Sequence, residues 1–525
     1  MILGCAIAAR AWLNYPPDNR TVKVNQTNLP IVFINIDGQV LDRYDRITGR
    51  MKIIDNGEGQ LNYGDTIAHP GQRVDYEGFI GIRYRGNTSF TAADKKPYSF
   101  RPLDRPLEEG GQKVKVSIMG MPADNDWALM SAYADKTLMR DLLAYRLARN
   151  YLPYAPDGRF CEVFIDGIYY GVFIMSERNT KGKYRLNLPD PGNSGNALTG
   201  GYMLEVDRND SPFFESAYRP QYNDGRTCWN GQTISFVYKS PDYEDMNSQQ
   251  VSYIQQQVAK MEDALAAANF DDPSGGFRRY IDEWSFIDCM ISTEFSHNVD
   301  GYRLSSGFFK WRDSVDPRFH ATIWDLNLGF GNANYHGGSA TNTWIYNNND
   351  VLIASHENNL IPFWWKRLME DDLYVRHLAM RWRTCRQGYY SNEHIEFMID
   401  SMANVLNVEG AQGRNYTAWP RLDRYVWPNN FVGYTYAAEI NYLKNWINDR
   451  LAFMDSQLLP LLPKKGDNNL DEVVDVGDLN RQMNVVLGLS NVPDYDIDLF
   501  DLNLDGYVDI TDLNIEINIL LGVDP

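Results

Sequence analysis

No stretch of this chain approaches the ~20 consecutive apolar residues that span a bilayer, so no transmembrane helix is expected. Histidine is scarce, with seven in 525 residues and no cluster among them. The five cysteines, Cys5, Cys161, Cys228, Cys289 and Cys385, form no Cys-x-x-Cys pair, which removes support for zinc-binding or thioredoxin-type chemistry. Also missing are a Gly-Lys-Ser/Thr phosphate loop, a Gly-x-Ser-x-Gly nucleophile elbow and a His-Glu-x-x-His zinc helix. The opening Met1-Ile-Leu-Gly-Cys5 has no basic region before it, and its apolar run is too short for a secretion signal. That opening reads as a truncated or misassigned start, with the end of a secretion signal as the alternative, since Leu3-Gly4-Cys5 has the look of a lipobox. Residues 1–28 are set apart as an N-terminal segment that such a signal remnant would occupy.

What is present in excess is acid. Net charge is −19, and from Gly466 onward fourteen acidic residues face a single base, Arg481. The tail therefore carries −13 and everything before it only −6. A clustered acidic module suggests cation binding and argues against a nucleic-acid partner, which needs a basic footprint.

The tail repeats itself. Asp467–Gly488 aligns with Asp501–Gly522 at an offset of 34, with twelve of twenty-two positions identical. Oxygen-bearing side chains fall at loop positions 1, 3, 5, 9 and 12: Asp467, Asn469, Asp471, Asp475 and Asp478, then Asp501, Asn503, Asp505, Asp509 and Asp512. Ca²⁺ takes six to eight oxygens, and EF-hand-type loops supply them at this spacing with a carbonyl from position 7, here Val473 and Tyr507. Gly506 meets the need for a sharp turn at position 6, whereas Glu472 does not, so the first loop is expected to bind more weakly. Apolar residues at helical spacing follow each loop, among them Leu479, Met483 and Val486, then Leu513, Ile517 and Leu520. Paired loop–helix units of this kind resemble a dockerin, a module that docks on cohesin domains. The resemblance implies a cohesin-like partner, and an intramolecular clip is the alternative.

Residues 458–465, rich in Leu and Pro, read as a linker, which leaves 29–457 as the main domain. Its first half is rich in short β-type runs: 31–36, 79–84, 98–101, 114–118, 162–165, 169–175, 202–205 and 234–238, with a helix expected at 136–150. From about 248 helical patterns dominate, at 249–268, 282–295, 362–382 and 437–457, interrupted by a hairpin-like pattern at 302–311 and 320–324. A strand-rich half followed by a helical half predicts an α+β fold, with a small all-α tail.

Six short motifs then occur in order. They are Ile82-Arg-Tyr-Arg-Gly-Asn-Thr-Ser89, Lys95-Lys-Pro-Tyr-Ser-Phe100, and Asp126-Trp-Ala-Leu-Met130 leading to Leu138-Met-Arg-Asp141. After them come Gly200-Gly-Tyr-Met-Leu-Glu-Val-Asp207, Asn298-Val-Asp-Gly-Tyr302 and Trp324-Asp-Leu-Asn-Leu-Gly-Phe-Gly331. Together they resemble the CotH-type proteins, atypical kinases first associated with spore coats.

The resemblance implies a kinase-like fold that moves phosphate from ATP, with Mg²⁺ or Mn²⁺, to Ser or Thr of secreted proteins. It implies a secreted or cell-surface location in a bacterium. Phosphoryl transfer depends on positioning and charge neutralisation. By family position Lys96, with Lys95 beside it, holds phosphates. Arg83 and the Gly86 turn cover them, and either Glu177 or Glu205 orients the lysine. Asp300 receives the acceptor proton, and Asp325 holds the metal with Asn327 and Asn298 nearby. Two positions depart from the pattern. Ser305 stands where a kinase carries a metal-binding Asn, and Asn327 where relatives carry a second carboxylate. A weakly active or inactive scaffold is therefore the alternative. A carbohydrate-active protein is the other rival, drawing on 33 Tyr, 13 Trp and the Glu205–Asp207 pair.

Overall fold

A computed structural model describes residues 14–228, 232–272, 274–492 and 497–523. The opening segment through Leu13, with Cys5, lies outside them.

Seven strands close into a barrel: β1 (Ile31–Asn35), β2 (Ile47–Ile54), β3 (Val74–Tyr84), β4 (Tyr98–Leu103), β5 (Trp127–Met130), β6 (Gly158–Ile165) and β7 (Ile168–Ser176). Around the barrel the order is β6-β7-β5-β4-β3-β2-β1. It closes through a parallel pairing of β6 with β1, in the register Glu162–Ile31 to Ile165–Ile34. Closure removes the exposed edge of an open sheet. Its interior is filled by Ile34, Met51, Ile80, Phe100, Trp127 and Phe173. Strand β7 is buried almost throughout, which explains its near-continuous apolar run.

A second, antiparallel sheet follows: β8 (Tyr202–Val206), β9 (Phe213–Glu215), β10 (Ser235–Ser240), β11 (Ser306–Lys310) and β12 (Phe319–Thr322), in the order β9-β10-β8-β11-β12. The β11–β12 hairpin, flanked in sequence by helices, joins β8 from the first half. The two halves of the sequence thus share one sheet and one large core.

The principal helices are α1 (Arg140–Ala148), α2 (Ser248–Ala266), α3 (Glu283–Ser296), α4 (Phe363–Leu368), α5 (Asp372–Gln387), α6 (Asn392–Asn407), α7 (Ala411–Ala418) and α8 (Tyr436–Leu458). In the tail come α9 (Val476–Val486) and α10 (Ile510–Leu520). Caps fix several starts. The Asn247 side chain accepts from the N–H groups of Gln249 and Gln250 ahead of α2, and Asp282 accepts from Ser285 ahead of α3.

Four expectations are adjusted. The helix predicted over 136–150 begins only at Arg140. Before it the buried Asp135 accepts from the N–H groups of Thr137 and Arg140, and Leu138 takes a left-handed φ of 64°. The helix predicted over 362–382 divides into α4 and α5, because Asp371 leaves helical geometry to cap Leu373 N–H. Strands β2 and β5 went unanticipated, since β2 mixes Gly49, Arg50 and Lys52 among its apolar residues. Lastly, the expected linker is partly ordered, with Leu459–Leu461 forming a single 3-10 turn after α8.

Candidate functional site

A cleft of about 510 Å³ opens between the barrel and the second sheet. Among the segments that bound it are the turn after β3, the end of β8, and the loops after α3 and β12.

Its floor is acidic. Asp325, just past β12, has a left-handed φ of 60° and is open to the cleft although protein surrounds it. The Tyr145 hydroxyl accepts its N–H at 3.1 Å, and Asn298 Nδ2 donates to its carbonyl at 3.2 Å. Asn298 itself is buried, so it positions Asp325 rather than facing the cleft.

Beside Asp325 lies Asp141, from the first turn of α1. One Asp141 oxygen accepts Leu326 N–H at 2.8 Å, and the other accepts Asn327 Nδ2 at 3.1 Å. The same Nδ2 donates to Asp325 Oδ1 at 2.6 Å, so one amide bridges two carboxylates. Burial, and then the Asp325 charge, push Asp141 up to about 8; burial also raises Asp325, with Arg85 pulling it down and the Asp300 charge pushing it up. Two carboxylates held this way suit a divalent cation, with oxygen donors of the type that Mg²⁺ and Mn²⁺ prefer. Asp141 thus supplies, beside Asp325, the second carboxylate that Asn327 does not. Sequence reasoning missed it, because an Asp in a first helical turn looks like a capping or dipole residue.

On the side of the second sheet Asp300 lines the cleft, with one oxygen 2.7 Å from Arg303 Nη2 and its N–H directed to Asn298 Oδ1 at 3.3 Å. Asn298 thus ties Asp300 to Asp325. Ser305 also faces the cleft. Glu205 pairs with Lys239 at 2.8 Å. Asp207, two residues on, is pushed up to about 6 by burial and by the Glu205 charge.

The barrel side is basic: Arg43, Arg83, Arg85 and Arg178 line it. The turn after β3 needs Gly86, whose φ is 83° and where a Cβ would meet Ser89 Oγ at 2.0 Å. Asn87 in that turn donates to Asp210 at 2.8 Å, bridging the barrel and the loop after β8.

Besides Asn298, three predicted residues are not brought to the cleft. Lys95 points into the barrel wall, bonding the Val172 carbonyl and Asn415 Oδ1, and burial pushes it down to about 7. Lys96 bonds the Phe90 carbonyl and lies 4.0 Å above the Tyr15 ring. Glu177 accepts from Arg149 Nη1 at 3.0 Å and from Asp157 N–H at 2.9 Å, behind β7. Each side chain is spent on local structure, for a strand alternates its faces and a residue slot does not fix which face meets the cleft.

In the tail the two loops share a set of side-chain-to-backbone bonds. Asp467 accepts from Asp471 and Glu472 N–H groups, as Asp501 does from Asp505 and Gly506. Asp478 accepts from Asn468 and Asn469, as Asp512 does from Leu502 and Asn503. Asn469 and Asn503 close the same small turn onto Asp471 and Asp505, and Asp475 and Asp509 cap α9 and α10. Carboxylate oxygens of Asp467, Asp471 and Asp478 lie within 4.8 Å of one another, and the Val473 and Tyr507 side chains point outward. A third acidic group, Asp282 and Asp316 around His320, already encloses the Arg318 guanidinium at 3.0 and 2.6 Å.

An α+β protein with an acid-floored, arginine-walled cleft is the class these features define. A family model described as CotH kinase protein matches residues 82–454, over two thirds of the chain, and the chain belongs to that family. No curated protein matches it.

Proposed function

We propose that the cleft binds ATP with a divalent cation and transfers the terminal phosphoryl group to a Ser or Thr hydroxyl of a secreted or surface protein. The observation that carries this reading is the Asp141–Asn327–Asp325 cluster on the cleft floor, tied through Asn298 to Asp300. Asp325 and Asp141 would hold Mg²⁺ or Mn²⁺, with the Asn327 amide oxygen as a further donor. When bound, such a cation supplies charge neutralisation along the phosphate chain. Asp300, oriented by Arg303, receives the acceptor hydroxyl proton. The acceptor oxygen then bonds to the terminal phosphorus, the bridging P–O bond breaks, and ADP leaves with that electron pair. The barrel arginines face the phosphates, and the Gly86 turn closes over them.

The tail loops would hold Ca²⁺ through Asp467, Asn469, Asp471, Asp475 and Asp478, and through the corresponding residues from Asp501 to Asp512. Their repeat and matching bonds support a dockerin-like module, for which a cohesin-like domain is the proposed partner. Export from a bacterial cell completes the reading.

Intact-mass spectrometry after incubation with ATP and Mg²⁺ or Mn²⁺ tests the chemistry. Discrete phosphate additions to the wild type, absent from Asp325→Ala, are expected. No addition in the wild type, together with no nucleotide-induced rise in Tm, would overturn it. A second reading draws on Asp207, whose raised pKa beside Glu205 is the pairing an acid–base hydrolase uses. A Tm rise with oligosaccharides and none with nucleotides would favour it.

A further inference from the structure

The cleft's phosphate side raises a question of charge. Four guanidinium groups, from Arg46, Arg83, Arg101 and Arg178, share one buried carboxylate, Asp126. Asp126 Oδ1 accepts from Arg101 Nε at 2.8 Å and lies 3.4 Å from Arg178 Nη1. Arg46 is spent on neutral partners, the Gly81 and Ser99 carbonyls at 2.9 and 2.8 Å. Arg83 bonds the Tyr44 carbonyl. Asp42 and Asp45 add a weaker attraction to Arg83. The Nε atoms of Arg83 and Arg178 are buried and have no hydrogen-bond partner among the described residues.

Such a surplus is costly. Burial, then repulsion from Arg101 and Arg83, presses Arg46 down to about 9. Burial likewise presses Arg178 down to about 10, with Arg85, Arg101 and Arg83 acting against Asp126. Against the opposing cost of burial, Arg178 and Arg101 hold Asp126 below its ordinary range, so its charge is already committed. A half-buried cation set with so little opposite charge beside it favours an anion, and guanidinium forks match phosphate oxygens bidentately. Both Arg83 and Arg178 line the cleft, whereas Lys95 and Lys96 do not.

We propose that Arg178, seconded by Arg83 and braced by Asp126, is the phosphate anchor of this cleft, in the role a lysine fills in other kinases. The ligand class is a linear polyphosphate, and its assignment as ATP rests on the functional reading above. Arg178 sits immediately after Glu177, at the end of β7, where the chain leaves the barrel and enters the cleft. The arrangement also explains why the Lys95-Lys96 pair can be spent on packing.

The test is isothermal titration of the full chain with Mg·ATP and, separately, with inorganic tripolyphosphate. Wild type, Arg178→Ala, Arg178→Lys and Lys96→Met are compared, with Tm measured for each. Arg178→Ala is expected to weaken both ligands at least tenfold, and Arg178→Lys to recover part of the loss. Lys96→Met should stay within about twofold of wild type. If Arg178→Ala unfolds, the Arg178→Lys deficit alone decides, since it keeps the charge and removes the fork. Equal ATP binding by wild type and both Arg178 variants, or loss in Lys96→Met alone, would overturn the anchor. Wild-type binding of tripolyphosphate but not ATP would keep the anion site and sink the nucleotide reading. Binding of neither would sink both.

Discussion

Glu262, on α2, is buried and has no cationic partner among the described residues. Its Oε1 accepts from Ser216 Oγ at 2.7 Å and from Trp364 Nε1 at 3.1 Å, and burial pushes the carboxyl up to about 7. A folded-state pKa above the unfolded value means stabilisation that is full below about pH 4.5 and lost as pH rises through 7. Glu262→Gln keeps an oxygen for both donors and removes the titration. The variant should match wild type at pH 4.5 and exceed it at pH 8 by on the order of 2–3 kcal/mol in urea unfolding. Parallel pH profiles for the two proteins would show that Glu262 is not protonated in the fold. The same residue-scale logic governs Asp325, where a left-handed φ costs strain that is sustained by its Tyr145 and Asn298 contacts.

At the scale of elements, α3 and α8 are joined by a buried ion pair. Arg450 Nε donates to the Glu294 carbonyl at 2.8 Å, and its Nη2 lies 3.2 Å from Glu294 Oε2. The Glu294 carboxylate also accepts the N–H groups of Ile345 and Tyr346 and the Tyr302 hydroxyl. Four segments therefore meet at one carboxylate, three residues before α3 gives way to the loop that carries Asn298 and Asp300. Removing one partner of a buried pair strands the other charge. Arg450→Leu should lower unfolding free energy by about 3–5 kcal/mol, read from the urea midpoint. A loss below about 1 kcal/mol would show that the remaining donors suffice. Element boundaries carry a related lesson. Asp371 and Asp135 each end or delay a helix that apolar spacing alone would extend, because a short acidic side chain offers backbone N–H groups another partner.

Across the whole molecule, the tail packs on the helical half. Leu499 and Phe500 meet Met380 of α5 in a small apolar cluster, with Thr384 donating to Asp498 at 2.8 Å. Glu472 reaches Arg376 of α5 at 2.8 Å. That contact gives Glu472 a use at the loop position where a glycine would relieve its φ of 72°. If the loops hold Ca²⁺, metal binding is folding free energy for the tail. Chelation with EGTA should then speed tryptic cleavage at Lys464 and Lys465 at least tenfold, and added Ca²⁺ should restore protection. Equal cleavage with and without Ca²⁺ would count against the loops as calcium sites.

Several features were settled by the sequence alone. The tail repeat, its spacing of oxygen-bearing side chains and the order of the six motifs are strings of residue types at fixed spacing, and such patterns survive without coordinates. The α+β class followed from periodicity, since most predicted strands and helices lie within a few residues of the observed ones. Tertiary structure decided which side chains share the cleft. Asp141 and Asp325, 184 residues apart in sequence, meet only because α1 packs beneath the end of β12. Arg178 enters the cleft while its neighbour Glu177 turns away to Arg149. Lys95 and Lys96 carry the right charge, yet they hold up the barrel wall and the Phe90 turn. Spacing along a chain fixes which residues are neighbours on one element, but which face of that element meets the cleft depends on long-range packing.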